Sequence, residues 1–285
     1  MESVIGEWWQ DTVRIRVLAV GTVTLGARWR YKYERLTNRR FYANQGDGAF
    51  LRFPKTGDFP LQSGVPYLIP PGVGFETFSS PGVEHFYAHF DVLGVPEFAI
   101  KRMFSMPVAL SSATLRSMVA DIAPRLRQEE VNVTLQWRIK AIAFEALALS
   151  LQSLPPEQLQ NGVEALHHVA PVLPALRHIQ DRFAQTLSNE MLAQLCGMSE
   201  DYFIRRFREC VGQTPSQYTL HYRLNMAMQR LQFTQDSVEQ IAYETGFCHR
   251  SHLTNALRTH SHLTPIQYRS QTRLMNGASD PEPSD

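Results

Sequence analysis

The feature that most constrains this chain is a repeat near its C-terminus. The segment LAQLCGMSEDYFIRRFRECVGQTPSQY (192–218) aligns with IAYETGFCHRSHLTNALRTHSHLTPIQY (241–268). The shared positions are Ala193/Ala242, Gly197/Gly246, Phe203/Leu253, Phe207/Leu257, Arg208/Arg258, Thr214/Thr264, Pro215/Pro265 and Tyr218/Tyr268, with one extra residue in the turn of the second copy. Two copies at a fixed offset, each closing on Thr-Pro-x-Gln-Tyr, indicate one supersecondary unit built twice.

The residues say which unit. Ser188 precedes the first copy as a helix entry. Asp236 with Glu239, or Ser237 with Gln240, supplies a capping-box pattern for the second. In each copy a small Ala sits four residues before a Gly. The Ala lets the next helix cross closely, and the Gly takes the left-handed conformation that ends the first helix. Ser199 is placed to cap the following helix. Phe203 and Phe207 then share one helix face at i, i+4, as do Leu253 and Leu257. This is a helix-turn-helix plan, made twice.

These two segments, with SQYTLHYRLNMAMQRLQFT between them as a linker helix, resemble the DNA-binding domain of the AraC/XylS family of transcription regulators. The resemblance implies that the second helix of each motif enters the major groove, reading segments one turn, roughly 34 Å, apart. It implies base contacts from Glu200, Asp201 and Arg205 in the first motif and from His249, Arg250, Ser251, Thr254 and Asn255 in the second. Arg205 can take a guanine through O6 and N7, and Asn255 an adenine through N6 and N7. Glu200 and Asp201 stand where relatives have basic, aromatic or polar residues; they either accept from cytosine or stabilise a helix N-terminus. Arg206, Arg208, Arg230 and Arg258 are candidate phosphate contacts, which position rather than specify. Arg223 and Arg269 are alternatively structural partners of a buried carboxylate or carbonyl. The family usually has a Gly where His262 stands, so the second motif is expected to close through an unusual turn, at some cost in strain.

The histidines of this region invite a metal reading that their spacing opposes. His249 and His252 are three apart rather than the chelating four, and His260 and His262 diverge if helical. The first copy, which has none of them, follows the same plan. No metal or cofactor is expected.

Upstream the pattern differs. In VRIRVLAVGTVTL (13–25), Val13, Ile15, Val17, Val23 and Leu25 alternate as in a strand, and AFLRF, PYLIP and VEHFYAHFDV continue the series between Gly, Pro and Ser turns. The stretch YLIPPGVGFETFSS…HFYAHFDV resembles, more loosely, the cupin-like sensor barrel of the same family. Two helical segments follow. In the second, Leu135, Ile139, Ile142, Ala146 and Leu149 form an apolar stripe suited to burial or to dimerisation, widened by Leu147 and Leu151. His85 and His89 share a strand face, but four residues separate them by about 13 Å, poor geometry for one metal. Glu76, His85, Tyr87 and His89 can line a ligand pocket; alternatively they face solvent, with Phe86, Ala88, Phe90 and Val92 forming the core.

The expected fold is therefore α+β: a cupin-like, ligand-sensing β-barrel with supporting helices over residues 1–155, a linker over 156–171, an all-α double helix-turn-helix domain over 172–275, and a disordered tail over 276–285. Net charge is only +1, but residues 172–275 carry eleven Arg against eight acids, and no Lys follows Lys140. Arginine's planar fork suits phosphates and guanine edges. No apolar run approaches the ~20 residues of a membrane span, and three cysteines without C-x-x-C spacing make a disulfide framework unexpected. The N-terminus lacks a secretory pattern, so a cytoplasmic protein is expected. No P-loop, nucleophile elbow or paired-carboxylate motif appears, so it is not read as an enzyme. Expected partners are double-stranded DNA, a small-molecule effector of unknown identity, RNA polymerase and a second copy of the chain. The competing reading is a metal-dependent cupin enzyme fused to a helical module.

Overall fold

The computed structural model describes residues 13–274, apart from 28, 31, 34–37, 94–99, 101 and 129–131; the acidic tail lies outside the described residues. The chain forms two compact units that divide between Val163 and Glu164.

Among the described residues the first unit holds nine strands. These are β1 (Arg14–Leu25), β2 (Lys32–Tyr33), β3 (Arg39–Gln45), β4 (Ala49–Phe53), β5 (Gly57–Leu61), β6 (Pro66–Ile69), β7 (Phe75–Ser79), β8 (Val83–Leu93) and β9 (Val108–Ala109). They form two antiparallel sheets, one ordered β1-β8-β3-β6-β9 and the other β2-β7-β4-β5. Among the described residues no ladder joins them, so the expected closed barrel is instead an open two-sheet sandwich. Closure requires the two edges of a sheet to pair. Among the described residues β1 and β9, the edges of the five-stranded sheet, form no ladder with each other.

Helices α1 (Ala113–Arg127) and α2 (Val133–Gln152) cover the five-stranded sheet, both packing on β1. Ser112 and Asn132 start them by accepting the backbone N–H of Leu115 and Leu135. The stripe Leu135, Ile139, Ile142 and Ala146 is buried, with Leu149 half-buried. That face is spent on the sheet and is not available for dimerisation. β8 is consequently buried on both sides. Phe86, Ala88, Phe90 and Val92 are buried, and so are His85 and His89 on the opposite face.

The segment expected as a linker is helical, α3 (Pro156–Val169), followed by a short 3-10 turn. The second unit continues through α4 (Leu173–Arg182), α5 (Asn189–Leu195), α6 (Glu200–Val211), α7 (Pro215–Phe233), α8 (Val238–Glu244), α9 (Arg250–Ser261) and α10 (Pro265–Leu274). The long α7 packs against α6 of the first motif and against α8, α9 and α10 of the second, which makes it the shared spine. Among the described residues no helix is long and apolar enough to cross a membrane.

Candidate nucleic-acid interface

Each motif is built by the same local bonds. Ser188 accepts the N–H of Met191 at 3.1 Å to start α5, and Ser237 accepts that of Gln240 at 3.1 Å to start α8. Of the two caps weighed for α8, Ser237 is the one used. Gly197 (φ 65°) and Gly246 (φ 80°) end these helices in the left-handed region. Beyond them Met198 donates to the Ala193 carbonyl at 3.0 Å and Phe247 to that of Ala242 at 2.9 Å, the six-to-one bond of a Schellman turn. Thus the Ala–x–x–x–Gly spacing both closes the helix and sets the turn.

The shared Thr-Pro-x-Gln-Tyr is a helix start. Thr214 accepts from Gln217 N–H at 3.3 Å while the Gln217 side chain accepts from Thr214 N–H at 3.0 Å. Thr264 and Gln267 make the same pair at 3.3 and 2.9 Å. With Pro at the first helical position, this is a capping box that turns the chain out of α6 and α9. Tyr218 then packs on Phe207, ring centroids 5.8 Å apart, and Tyr268 packs on the core of the second motif.

These turns leave α6 and α9 with one buried and one exposed face. Phe203, Phe207, Leu253 and Leu257 are wholly buried. Glu200, Asp201 and Arg205 are exposed on α6, as are Arg250, Ser251 and Asn255 on α9 with His249 at its start. Thr254 is half-buried and its hydroxyl donates to the Arg250 carbonyl at 2.9 Å. Asp201, Ile204, Arg205, Arg208, Glu209 and Thr214 line an open groove along α6.

Two expected caps differ. Ser199 makes no side-chain cap bond; only its carbonyl is used, accepting from Phe203 at 2.8 Å. The first turn of α6 is therefore left to Glu200 and Asp201, whose negative charge suits a helix N-terminus. In the second motif His249 is the cap, its Nδ1 accepting the His252 N–H at 3.2 Å. That bond gives His249 a structural use unrelated to metal.

The arginines separate into two groups. Arg208 and Arg258 are exposed at equivalent positions, and Arg206 is half-buried with an ion pair to Glu209 at 3.3 Å. Arg230, read as a phosphate candidate, is instead tied to Asp236 at 2.7 Å and to Glu244, where it links α7 to α8. Its guanidinium, followed by the Thr234 hydroxyl, holds the Asp236 carboxyl below the usual carboxylate range. Arg223 donates to the carbonyls of Phe183 and Gln185 at 2.7 Å each, and Arg269 donates to that of Asp236. Both are structural.

The second motif closes as its sequence suggested. His262 sits at φ 60°, the one positive-φ residue other than glycine among the described residues, and donates to the Arg258 carbonyl at 2.9 Å. Gly212 fills the same role in the first motif at φ 81°.

In the first unit the other candidates fall into place by strand register. Arg40, Tyr42 and Asn44 of β3 pair directly across from His89, Tyr87 and His85 of β8. Arg40 is fully buried and donates to the Tyr42 hydroxyl at 3.0 Å; its guanidinium lies 3.4 Å from His89 Nε2. His85 Nδ1 lies 2.7 Å from Asn44 Oδ1, and Trp29 and Tyr42 rings lean on its imidazole. Burial, then the Arg40 charge, pushes His85 down to about 3, and the same causes together with His85 hold His89 well below the ordinary histidine range. Both imidazoles are therefore neutral. Tyr87 lies against Gly21 on β1, where an added Cβ would come within 2.6 Å of its hydroxyl. Glu76 does not join this cluster. Its neighbours Phe75 and Thr77 point inward, so alternation sends Glu76 to the outer face beside Arg52.

The sequence reading missed Arg40, Tyr42 and Asn44. The signal was present as polar residues at i, i+2, i+4 in RRFYANQ, but without a partner strand that alternation does not say which face is inside. Among the described residues no group of three or more His, Cys, Asp or Glu is placed to hold a metal ion.

Known proteins place this geometry. Residues 192–271 match the model of a helix-turn-helix domain family. The chain is 28% identical over 156 residues, 54% of its length and 53% of the relative's, to the HTH-type transcriptional activator RhaS of Escherichia coli O1:K1 / APEC. It is 31% identical to a solved transcriptional regulator of AraC-type DNA-binding domain from Chromobacterium violaceum, covering 38% of this chain and 96% of that one with a TM-score of 0.36. ToxT from Vibrio cholerae O395 shares the fold over 92% of this chain and 99% of its own, at a TM-score of 0.51 and 10% identity. The matches span between 27% and 53% of the curated relatives' own length. Residues 192–271 are therefore a helix-turn-helix domain, similar in sequence to those of curated transcription regulators such as RhaS.

Proposed function

We propose that the chain is a ligand-responsive transcription regulator that binds promoter DNA through α6 and α9 and activates from it. The observation that carries this reading is the pair of helices with matched buried faces and exposed polar faces, each held by a Schellman turn before it and a capping box after it. The base-reading set is Glu200, Asp201, Arg205, His249, Arg250, Ser251, Thr254 and Asn255, with Arg206, Arg208 and Arg258 on phosphates. Arg230, held by two carboxylates, is left out of that set. RhaS is named an activator, which supports the activating role and RNA polymerase as a partner in a cytoplasmic setting.

The sandwich interior is the effector site in this reading, with Arg40, His85, Tyr87 and His89 on one wall. Its cupin-like character is carried over from the family resemblance. A cation beside His89 disfavours a metal there, so these groups act as hydrogen-bonding partners for a small polar ligand. A ligand regulates only if it binds two states with different affinity. A homodimer would use the outer face of α2, where Val133 and Trp137 are 68% and 67% exposed and Lys140 lies over the Trp137 ring.

Binding of the full chain to a duplex of the DNA upstream of its own coding sequence, over a salt series, tests the core of the proposal. Affinity should fall steeply with salt. Arg205→Ala and Asn255→Ala should each cost about 1–3 kcal/mol and relax preference at one position. Unchanged preference in both variants would show that α6 and α9 are not the reading helices.

A further inference from the structure

We propose that Tyr202 is a positioning residue for Arg205, holding its guanidinium in the plane in which it reads a base; this rests on α6 being a reading helix. Three arginines occur on α6, and they are held differently. Arg206 is paired with Glu209 at 3.3 Å. Arg208 stands exposed in the last turn. The Arg205 guanidinium lies over the Tyr202 ring, 5.3 Å from its centroid. Both partners are exposed, Tyr202 at 45%, so the ring is not there to fill the core. The buried face of α6 is already complete with Phe203, Phe207 and Cys210.

The kind of partner matters. Arg205 sits four residues from Asp201 on one side and four from Glu209 on the other, the spacing at which helical ion pairs form. Pairing with either acid would occupy its N–H donors and cancel part of its charge. A ring beneath the guanidinium fixes the plane and leaves all five donors free to bond. Bidentate reading of guanine needs that plane aligned with the base edge. Pre-ordering a long side chain also lowers the entropy lost when it binds.

The second motif supplies a contrast. Repeat alignment places His252 at the Tyr202 position and Asn255 at the Arg205 position. His252 packs on Phe247, ring centroids 5.1 Å apart, and Asn255 is too short to need a support. The ring under a reading cation is therefore a device of the first motif.

The test is selection of bound duplexes from a randomised pool by the full chain, giving a base-preference profile for wild type and variants, with affinity for poly(dA-dT) as the non-specific reference. Tyr202→Leu should weaken preference about 2- to 5-fold at the same base position that Arg205→Ala relaxes. Its affinity for poly(dA-dT) and its circular dichroism should not move. Tyr202→Phe, which keeps the ring, should restore the profile, and Tyr202→Leu added to Arg205→Ala should have no further effect at that position. Loss at a different position, equal loss on poly(dA-dT), or full additivity with Arg205→Ala would overturn the inference. A wild-type chain that enriches no sequence would instead overturn the DNA-reading proposal, and this inference with it.

Discussion

The two units of this protein place their polar chemistry oppositely. The sandwich encloses it: Arg40, His85 and His89 are each at most 3% exposed, between strands whose outer faces are covered. The helical unit displays it, with Arg205, Arg250 and Asn255 outward and apolar pairs beneath. Enclosed groups are governed by desolvation and by each other, so their protonation is tied to folding. Displayed groups are governed by solvent and by whatever docks on them, and they can vary between the two motifs without disturbing the fold. The repeat shows this second case directly, since everything common to the copies apart from the exposed Arg208/Arg258 pair is a cap, a turn or a core residue.

The largest expected effect tests the enclosed side. Folded His85 and His89 stay neutral while their unfolded counterparts protonate near the ordinary value of 6.5. The unfolded state thus binds more protons below pH 6.5, and stability falls as pH drops from there toward 3, by about 1.4 kcal/mol per pH unit for His85, with His89 acting in the same direction. At pH 4.5 His85 alone costs about 3 kcal/mol. All four tryptophans lie in the first unit, so urea melts followed by tryptophan fluorescence report on it alone. A midpoint unchanged between pH 7 and pH 5 would show that the interior histidines are not desolvated as described. His85→Gln with His89→Gln should flatten the slope.

The next prediction sets one motif against the other. Gly197 and Gly246 have the same left-handed backbone, worth about 1–2 kcal/mol against any other residue. An added Cβ at Gly197 meets nothing within 4 Å, whereas at Gly246 it falls 2.9 Å from the Ala184 backbone. Gly246→Ala should therefore destabilise more than Gly197→Ala, measured by chemical denaturation with far-ultraviolet circular dichroism. Equal losses would mean that the backbone conformation alone sets the cost.

The smallest effect is a gain. His262→Gly relieves the left-handed strain at the close of the second motif, partly offset by the greater freedom of glycine in the unfolded chain, for a net gain under about 1 kcal/mol. A loss instead would point to a packing role for the His262 side chain. Replacing Gly212 by His in the first motif should show the reverse sign.

Much of the helical unit was legible because its determinants are local. Ser188, Ser237, Gly197, Gly246 and the Thr-Pro-x-Gln-Tyr capping boxes act within six residues of themselves, and the i, i+4 apolar pairs say which face is buried. The cap expected from Ser199 failed for a similarly local reason: its hydroxyl makes no bond with the first turn, where Glu200 and Asp201 already stand. Arg230 was misread because its charge alone does not reveal the Asp236 and Glu244 carboxylates that meet it when α7 and α8 pack. The sandwich was legible only as alternation. That alternation has two solutions, and the one that puts His85 and His89 in solvent does not hold, because both faces of β8 are covered.

The sequence by itself determined the double motif and the outward faces of α6 and α9, since those follow from helical period and end chemistry. Tertiary structure alone decided that the strands make an open sandwich and not a closed barrel, that Arg40 meets His89 across a ladder, and that Glu76 turns away. These are questions of which distant strands pair and in what register, and a period of two is blind to the partner until the chain has folded.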